Sequence, residues 1–308
     1  MTINQFKEKE KIDQPLLVSQ LTQGITTSGA PYLSVVLQDK SGTIDGKLWD
    51  VKDEQLSIIK PGSIIQVVGE VLKYRNTLQV RIHNVLECNE NFELEDFVEK
   101  TNVPIEDLKA QISKTIESIN DPVYKAITKE IFKRYHVEFF EFPAASKNHH
   151  DSLGGLATHV ASMVEIGEFL ATKHEIINRD LLVSGILLHD IGKVFELSGP
   201  IVTEYTLKGK LLGHISMMSS IIYEVAKSLS VHEEEQTILL MHLVLSHHGQ
   251  YEYGSPVLPM VPEAEILNII DNLDARINMF EKMIESTEPK SFSPRIFSLE
   301  NRSFYRSK

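Results

Sequence analysis

Five segments in the carboxy-terminal half carry a histidine or an aspartate where the spacing of a helix demands core. His159 is in step with Met163, Ile166 and Leu170, and His214 with Met218, Ile221 and Val225. His247 follows Leu240 and Val244, Asp271 lies between Leu267 and Asn278, and His189-Asp190 closes a run that ends Leu187-Leu188. Steps of three and four put side chains on one helical face, the face that packs inward. A buried imidazole or carboxylate is costly unless it is paired or bound to metal. Five helices that each turn such a group inward therefore predict convergence on one polar centre. Imidazole and carboxylate without thiolate suit Mn²⁺, Fe²⁺, Zn²⁺, Co²⁺ or Ni²⁺.

The other end of the chain has a different period. Leu33–Asp39 is apolar and β-branched, Ser41-Gly42 is a turn, and Thr43–Trp49 alternates. Pro61-Gly62 is a second turn, followed by strand patterns over Ile64–Val71 and Leu78–Ile82, with Arg75-Asn76 in the turn between them. With these four, the stretch over residues 15–90 reads as five short strands in some 75 residues, which predict a small barrel. Asn91–Lys100 is acidic and aperiodic and reads as a connector; after Pro104 the pattern is helical. Asp121-Pro122 marks a helix start, Gly154-Gly155 a break before the His159 helix, Arg179-Asp180 the start of the helix that ends at His189-Asp190, and Gly192 its stop. Pro262, with Glu263 and Glu265, opens the Asp271 helix. The expected fold is therefore multidomain: a β-barrel over residues 1–90, a linker and connecting helix over 91–120, and an all-α domain over 121–308.

Charge follows the same division. The net charge is −12, which argues against a nucleic-acid partner for the chain as a whole. Residues 1–90 hold 10 Lys/Arg against 11 Asp/Glu, a balance of −1, which leaves −11 to the other 218 residues. The near-neutral half has room for a basic face. Only His83 lies in that half; the other 11 histidines fall between His136 and His248. Of these, His136, His174, His232 and His242 read as structural or surface residues. The single cysteine, Cys88, permits no intrachain disulfide. With no signal-peptide core in Met1–Gln14 and no apolar run of membrane length, the expected location is the cytoplasm, away from membrane.

With His159, His189-Asp190 and Asp271 in place, inside Leu187–Lys193 and Ile269–Asp274, the chain resembles the HD-domain phosphohydrolases. The resemblance implies one or two divalent metals, Mn²⁺ ahead of Fe²⁺, Co²⁺ or Zn²⁺. Asp190 would bridge, His159, His189 and Asp271 would complete one position, and His214 with His247, or His248, the second. Asp274 is a substitute ligand on this view, or else a partner for Arg276 or a solvated carboxylate. Lys193 reads either as a solvated charge past a helix end or as an ammonium that holds a phosphate oxygen. His149-His150 falls in a loop that the resemblance places at the pocket mouth, with His150 as a catalytic candidate that either contacts substrate phosphate or protonates a leaving group.

The strand-rich half resembles an OB-fold of the nucleic-acid-binding kind, which implies stacking and basic contacts from Trp49, Tyr74, Lys47, Lys73 and Arg75. An OB-fold followed by an HD domain resembles the YhaM-type 3′–5′ exoribonucleases of bacteria. That likeness extends to Leu153–Leu156, His247-His248-Gly249 with Tyr253–Pro256, and the tail around Arg295-Ile296-Phe297 and Asn301–Tyr305. It implies metal-assisted attack of water on the phosphodiester of single-stranded RNA, with single-stranded DNA and a homo-oligomeric state left open. Two other functions remain in view: a nucleotide or cyclic-dinucleotide phosphohydrolase, against which Gly254-Ser255-Pro256 stands in place of a Gly-Tyr-Pro run, and a single-strand DNA-binding replication factor.

Overall fold

The structure, a computed structural model, describes the chain apart from residues 27–28, 76, 89–91, 93, 145–151 and 201, and the side chains of 53, 94 and 95. The described chain divides into two compact units, Met1–Lys100 with Ile201–Thr203, and Thr101–Pro200 with Glu204–Lys308.

The first unit is a closed five-stranded barrel. Strands β1 (Lys11–Ile25), β2 (Pro31–Asp39), β3 (Gly42–Trp49), β4 (Ile64–Tyr74) and β5 (Thr77–Glu87) close in the order β1-β2-β3-β5-β4, with helix α1 (Asp53–Ile58) between β3 and β4. This is the small barrel that the strand pattern predicts, and the OB-fold that the resemblance implies. Alternation fills the interior: Leu33, Val35 and Leu37 of β2 face inward with Ile44 and Leu48 of β3, Ile65, Val67 and Val71 of β4, and Val80 and Ile82 of β5. Burial of each such side chain stabilises by about 1.5–3 kcal/mol. Between Val68 and Gly69 the β4–β5 register slips, leaving His83 as one extra residue in β5. The bulge reverses the inward parity of β5, so Val85 rather than Asn84 enters the core.

The second unit is helical. Its elements are α2 (Ile105–Glu117), α3 (Pro122–Glu141), α4 (Gly155–Lys173), α5 (Arg179–Leu188), α6 (Lys193–Glu196), α7 (Leu207–Ser228), α8 (Glu235–Ser246) and α9 (Pro262–Ser286), followed by a short hairpin, β6 (Ser291–Phe292) with β7 (Tyr305–Arg306). Asp121 caps α3, its carboxylate accepting from the backbone N–H groups of Val123 and Tyr124 at 2.8 and 3.1 Å. Asn178 caps α5 in the same way through Leu181. Leu181 to Leu188 are all buried, so α5 runs through the middle of the unit and delivers His189 and Asp190 to its centre. Helix α2, placed in the connecting segment on sequence, packs Leu108, Ile112 and Ile116 into this helical core. Gly192 does not end the structure; the chain turns there directly into the single turn of α6.

Candidate metal centre and nucleic-acid face

The six predicted polar residues, from five helices, meet. His159 comes from α4, His189 and Asp190 from the residues that end α5, His214 from α7, His247 from the end of α8, and Asp271 from α9. His159, His189, Asp190 and His247 are at most 1% exposed, and His214 8%. Two groups of three ligand atoms form, His159 with His189 and Asp271, and His214 with His247 and His248, each within 4.8 Å of one another. Asp190 stands between them. Its Oδ2 lies 3.4 Å from His189 Nε2 and 3.9 Å from His159 Nε2, while its Oδ1 lies 3.6 Å from His214 Nε2 and 3.7 Å from His247 Nε2. One carboxylate oxygen faces each group.

The rings are held from behind. His189 Nδ1 and His247 Nδ1 donate to the carbonyls of Ile186 and Val244, at 2.8 and 2.7 Å. His159 Nδ1 is 2.7 Å from Asp274 Oδ2, and His214 Nδ1 is 2.9 Å from Glu196 Oε2. Each bond ties up Nδ1 and turns Nε2 toward the centre. There His189 Nε2, His214 Nε2, His247 Nε2 and Asp190 Oδ1 are buried with no hydrogen-bond partner in the structure. Four such orphaned atoms converging on one space are expensive unless a cation satisfies them. The donor set, imidazole and carboxylate with each ring oriented through its other nitrogen, fits divalent metal.

Electrostatics separate the two sides. Burial pushes the pKa values of His247 and His248 down, and neighbouring imidazoles push them further, the direction that favours the neutral ring a metal site needs. On the other side burial opposes the charge of His159, but Asp271 and Asp274 outweigh it and raise its pKa to about 9. Burial likewise opposes ionisation of Asp190 and Asp271, yet Lys193 and the imidazoles hold Asp190 well below the usual carboxylate range, and His159 lowers Asp271.

Local backbone builds this geometry. Helix α7 breaks at Gly213, whose φ of 70° and ψ of 156° suit glycine. The break frees the His214 N–H, which donates to Glu196 Oε1 at 3.2 Å. Gly192 lets the Asp190 turn lie against His214: a Cβ there would stand 2.4 Å from the His214 carbonyl oxygen.

Lys193 is no solvated helix end. Its side chain is 14% exposed and Nζ lies 2.6 Å from Asp190 Oδ2, so the Asp190 charge, against burial, raises its pKa. Asp274 does not partner Arg276, which bonds Asn272 and Glu300 instead; Asp274 is buried and orients His159. His150, and with it His149, lies outside the described residues. His136 and His174 are exposed, His232 contacts Glu233, and His242 accepts from the Met260 N–H, all away from the centre. The supporting roles of Asp274 and Glu196 were not read from sequence. Their signal was faint: an Asp three residues after Asp271, and a Glu three after Lys193.

On the barrel, the sequence candidates form two groups. Trp49 is 46% exposed and its ring lies 5.0 Å from that of Tyr32, its register partner across β2–β3. Lys47 sits 5.1 Å over the same Tyr32 ring and bonds Ser34. Lys73, Tyr74 and Arg75 are at the β4–β5 turn, where Arg75 lies 5.4 Å over the Tyr74 ring. Tyr32 was missed on sequence, although pairing the strands across the Ser41-Gly42 turn sets it opposite Trp49. Both groups place aromatic rings and cations on the outer surface, the combination that stacks bases and meets phosphates.

The HD domain family matches residues 156–276, which contain all the ligand candidates, and the family described as OB-fold nucleic acid binding domain matches residues 18–87. Over 303 residues the chain is 45% identical to a protein of Geobacillus sp. strain WCH70 named 3′–5′ exoribonuclease YhaM, covering 98% of this chain and 93% of that one. It is 44% identical over 299 residues to the protein of the same name from Bacillus subtilis, covering 96% and 95%.

Proposed function

The chain belongs to the family of the YhaM 3′–5′ exoribonucleases, and on that premise we propose that it is a metal-dependent hydrolase that shortens single-stranded RNA from its 3′ end. The observation that carries the chemistry is Asp190, with one oxygen facing each of two three-ligand groups whose Nε2 atoms are buried and turned inward. His159, His189 and Asp271 would hold one ion, His214, His247 and His248 another, with Asp190 shared. Manganese is the ion to test first among those that suit this donor set. Bound metal makes water a nucleophile near neutral pH and draws charge off the phosphate oxygens.

The chain's own groups do the rest. The Nδ1 bonds fix each imidazole tautomer, so no ring must reorient as the reaction proceeds. Lys193 keeps Asp190 ionised and sets a buried ammonium where charge gathers on the phosphate. No side chain needs to act as nucleophile. The barrel's rings and cations at Tyr32, Trp49 and Lys47, and at Lys73, Tyr74 and Arg75, would bind the strand upstream of the cut. No helix among the described residues is long and apolar enough to cross a membrane.

The test is incubation of 5′-labelled single-stranded RNA with the protein, stripped of metal and then given Mn²⁺, Co²⁺, Fe²⁺ or Zn²⁺. A ladder that shortens from the 3′ end and stops on addition of chelator is the expected result. Cleavage at internal positions, or turnover indifferent to metal, would overturn it.

A further inference from the structure

Two of the ligand histidines, His159 and His214, rest on carboxylates and three, His189, His247 and His248, on backbone carbonyls, and the carboxylate behind His214 does two jobs at once. Glu196 is the last residue of α6, the turn that begins at Lys193. Its Oε2 accepts from His214 Nδ1 at 2.9 Å, and its Oε1 accepts from the His214 backbone N–H at 3.2 Å. The second bond exists because α7 breaks at Gly213 and leaves that N–H without a helical acceptor. The His214 side chain and main chain are thus both held by Glu196, each by a different oxygen. With Nδ1 donating, the lone pair is on Nε2, which points at Asp190 Oδ1 from 3.6 Å and has no other partner. On the opposite side of Asp190, the imidazoles are oriented by Asp274 and by the Ile186 carbonyl rather than by Glu196.

We propose that Glu196 is a positioning residue for the second metal position alone: it fixes the His214 tautomer and seats the helix end that carries it, and the first position is assembled without it. The inference rests on the metal-dependent reading above and adds a division of labour within the centre. An amide cannot replace this carboxylate. Glutamine offers one oxygen and one NH₂ group. If its oxygen takes the backbone N–H, its NH₂ faces Nδ1 and favours the tautomer that carries the proton on Nε2, which cannot ligate. If its oxygen takes Nδ1, the NH₂ faces the His214 N–H and the helix end is pushed away.

The experiment is a Mn²⁺ titration of the metal-free full chain, read by ions bound per chain and by electron paramagnetic resonance. The wild type should bind two ions and show the signal of a spin-coupled pair. Glu196→Gln should bind the first ion as the wild type does and the second about 10- to 100-fold more weakly, the scale expected for a group behind a ligand. Its spectrum should be that of an isolated ion at the concentration that saturates the wild type. Glu196→Ala serves as a second variant, His214→Ala as the comparator that removes the ligand itself, and circular dichroism of the metal-free proteins as the measure of folding. Two ions bound with unchanged affinity by both Glu196 variants overturns the proposal. So does loss of both ions together, which makes Glu196 a support of the whole unit rather than of one position. A wild-type chain that binds no ion at all removes the metal-dependent reading and this inference with it; one that binds two ions regardless of Glu196 removes only the inference.

Discussion

The barrel and the helical unit place their chemistry on opposite sides of their cores. In the barrel the core cluster is built of apolar side chains and the candidate contacts, Trp49, Lys47, Tyr74 and Arg75, stand outside it. In the helical unit the candidates stand inside: His189 and His247 are fully buried among residues such as Leu188 and Val244. An inward polar group breaks the local apolar pattern and must be explained by a partner. An outward aromatic or lysine breaks nothing, since folded proteins expose much apolar surface. A buried centre therefore announces itself in a way that a binding face does not, and the two should also fail differently when altered.

The largest expected effect is at the centre. Asp190→Asn removes the charge shared by both ligand groups, and hydrolysis should fall by about two to three decades or more, the scale of losing one preorganised charged group, while circular dichroism of the helical unit is kept. Near wild-type turnover under saturating Mn²⁺ would falsify the bridging assignment.

Separating the regions sharpens the contrast next. A chain of residues 101–308 should still hydrolyse a small chromogenic phosphodiester but bind long RNA poorly; equal RNA affinity with and without the barrel removes its role in capture. Where the cut falls matters. Starting at Asp121 discards Leu108, Ile112, Ile116 and Ile119, all buried in the helical core. At roughly 1.5–3 kcal/mol each, that loss rivals a domain's whole margin of about 5–15 kcal/mol. Residues 121–308 should melt far below 101–308 in a thermal scan, and equal midpoints would show that α2 is dispensable.

Lys193→Ala should slow turnover by about one to two decades, the value of a charge-assisted bond of roughly 1.5–3 kcal/mol, and leave both ions bound. Metal analysis beside steady-state kinetics decides it: lost metal would make Lys193 only a support for Asp190. The smallest effect belongs to the barrel face. Tyr32→Ala or Trp49→Ala should weaken RNA binding by about tenfold, the low end for loss of one stacked base, with hydrolysis of the small phosphodiester unchanged. If either variant slows that small substrate, the barrel and the centre are not separable in the way their burial implies.

Legibility tracked range. Asp121-Pro122, the Gly154-Gly155 break and the helix start at Arg179-Asp180 act on neighbours within a turn, so their roles follow from adjacent residues. The candidate ligands were legible because each sets a polar group on or at the end of an apolar helical stripe, a local test that needs no knowledge of the partner. Tyr32 escaped because a half-buried tyrosine on a strand violates nothing, and its value comes from Trp49, 17 positions away, through strand register. Asp274 escaped because one acidic residue near another reads as a second ligand until the direction of the side chain is known.

The sequence by itself determined that a barrel precedes a helical unit and that His159, His189, Asp190, His214, His247 and Asp271 must find one another. Periodicity and the cost of burying unpaired polar groups suffice for that. Only the tertiary structure decided that Asp190 turns one oxygen to each ligand group, that His248 joins His214 and His247, and that Glu196 and Asp274 stand behind their histidines. Those facts depend on how α4, α6, α7 and α9 cross. Hydrogen bonds between residues 18 and 115 positions apart are set by that packing, which no local pattern encodes.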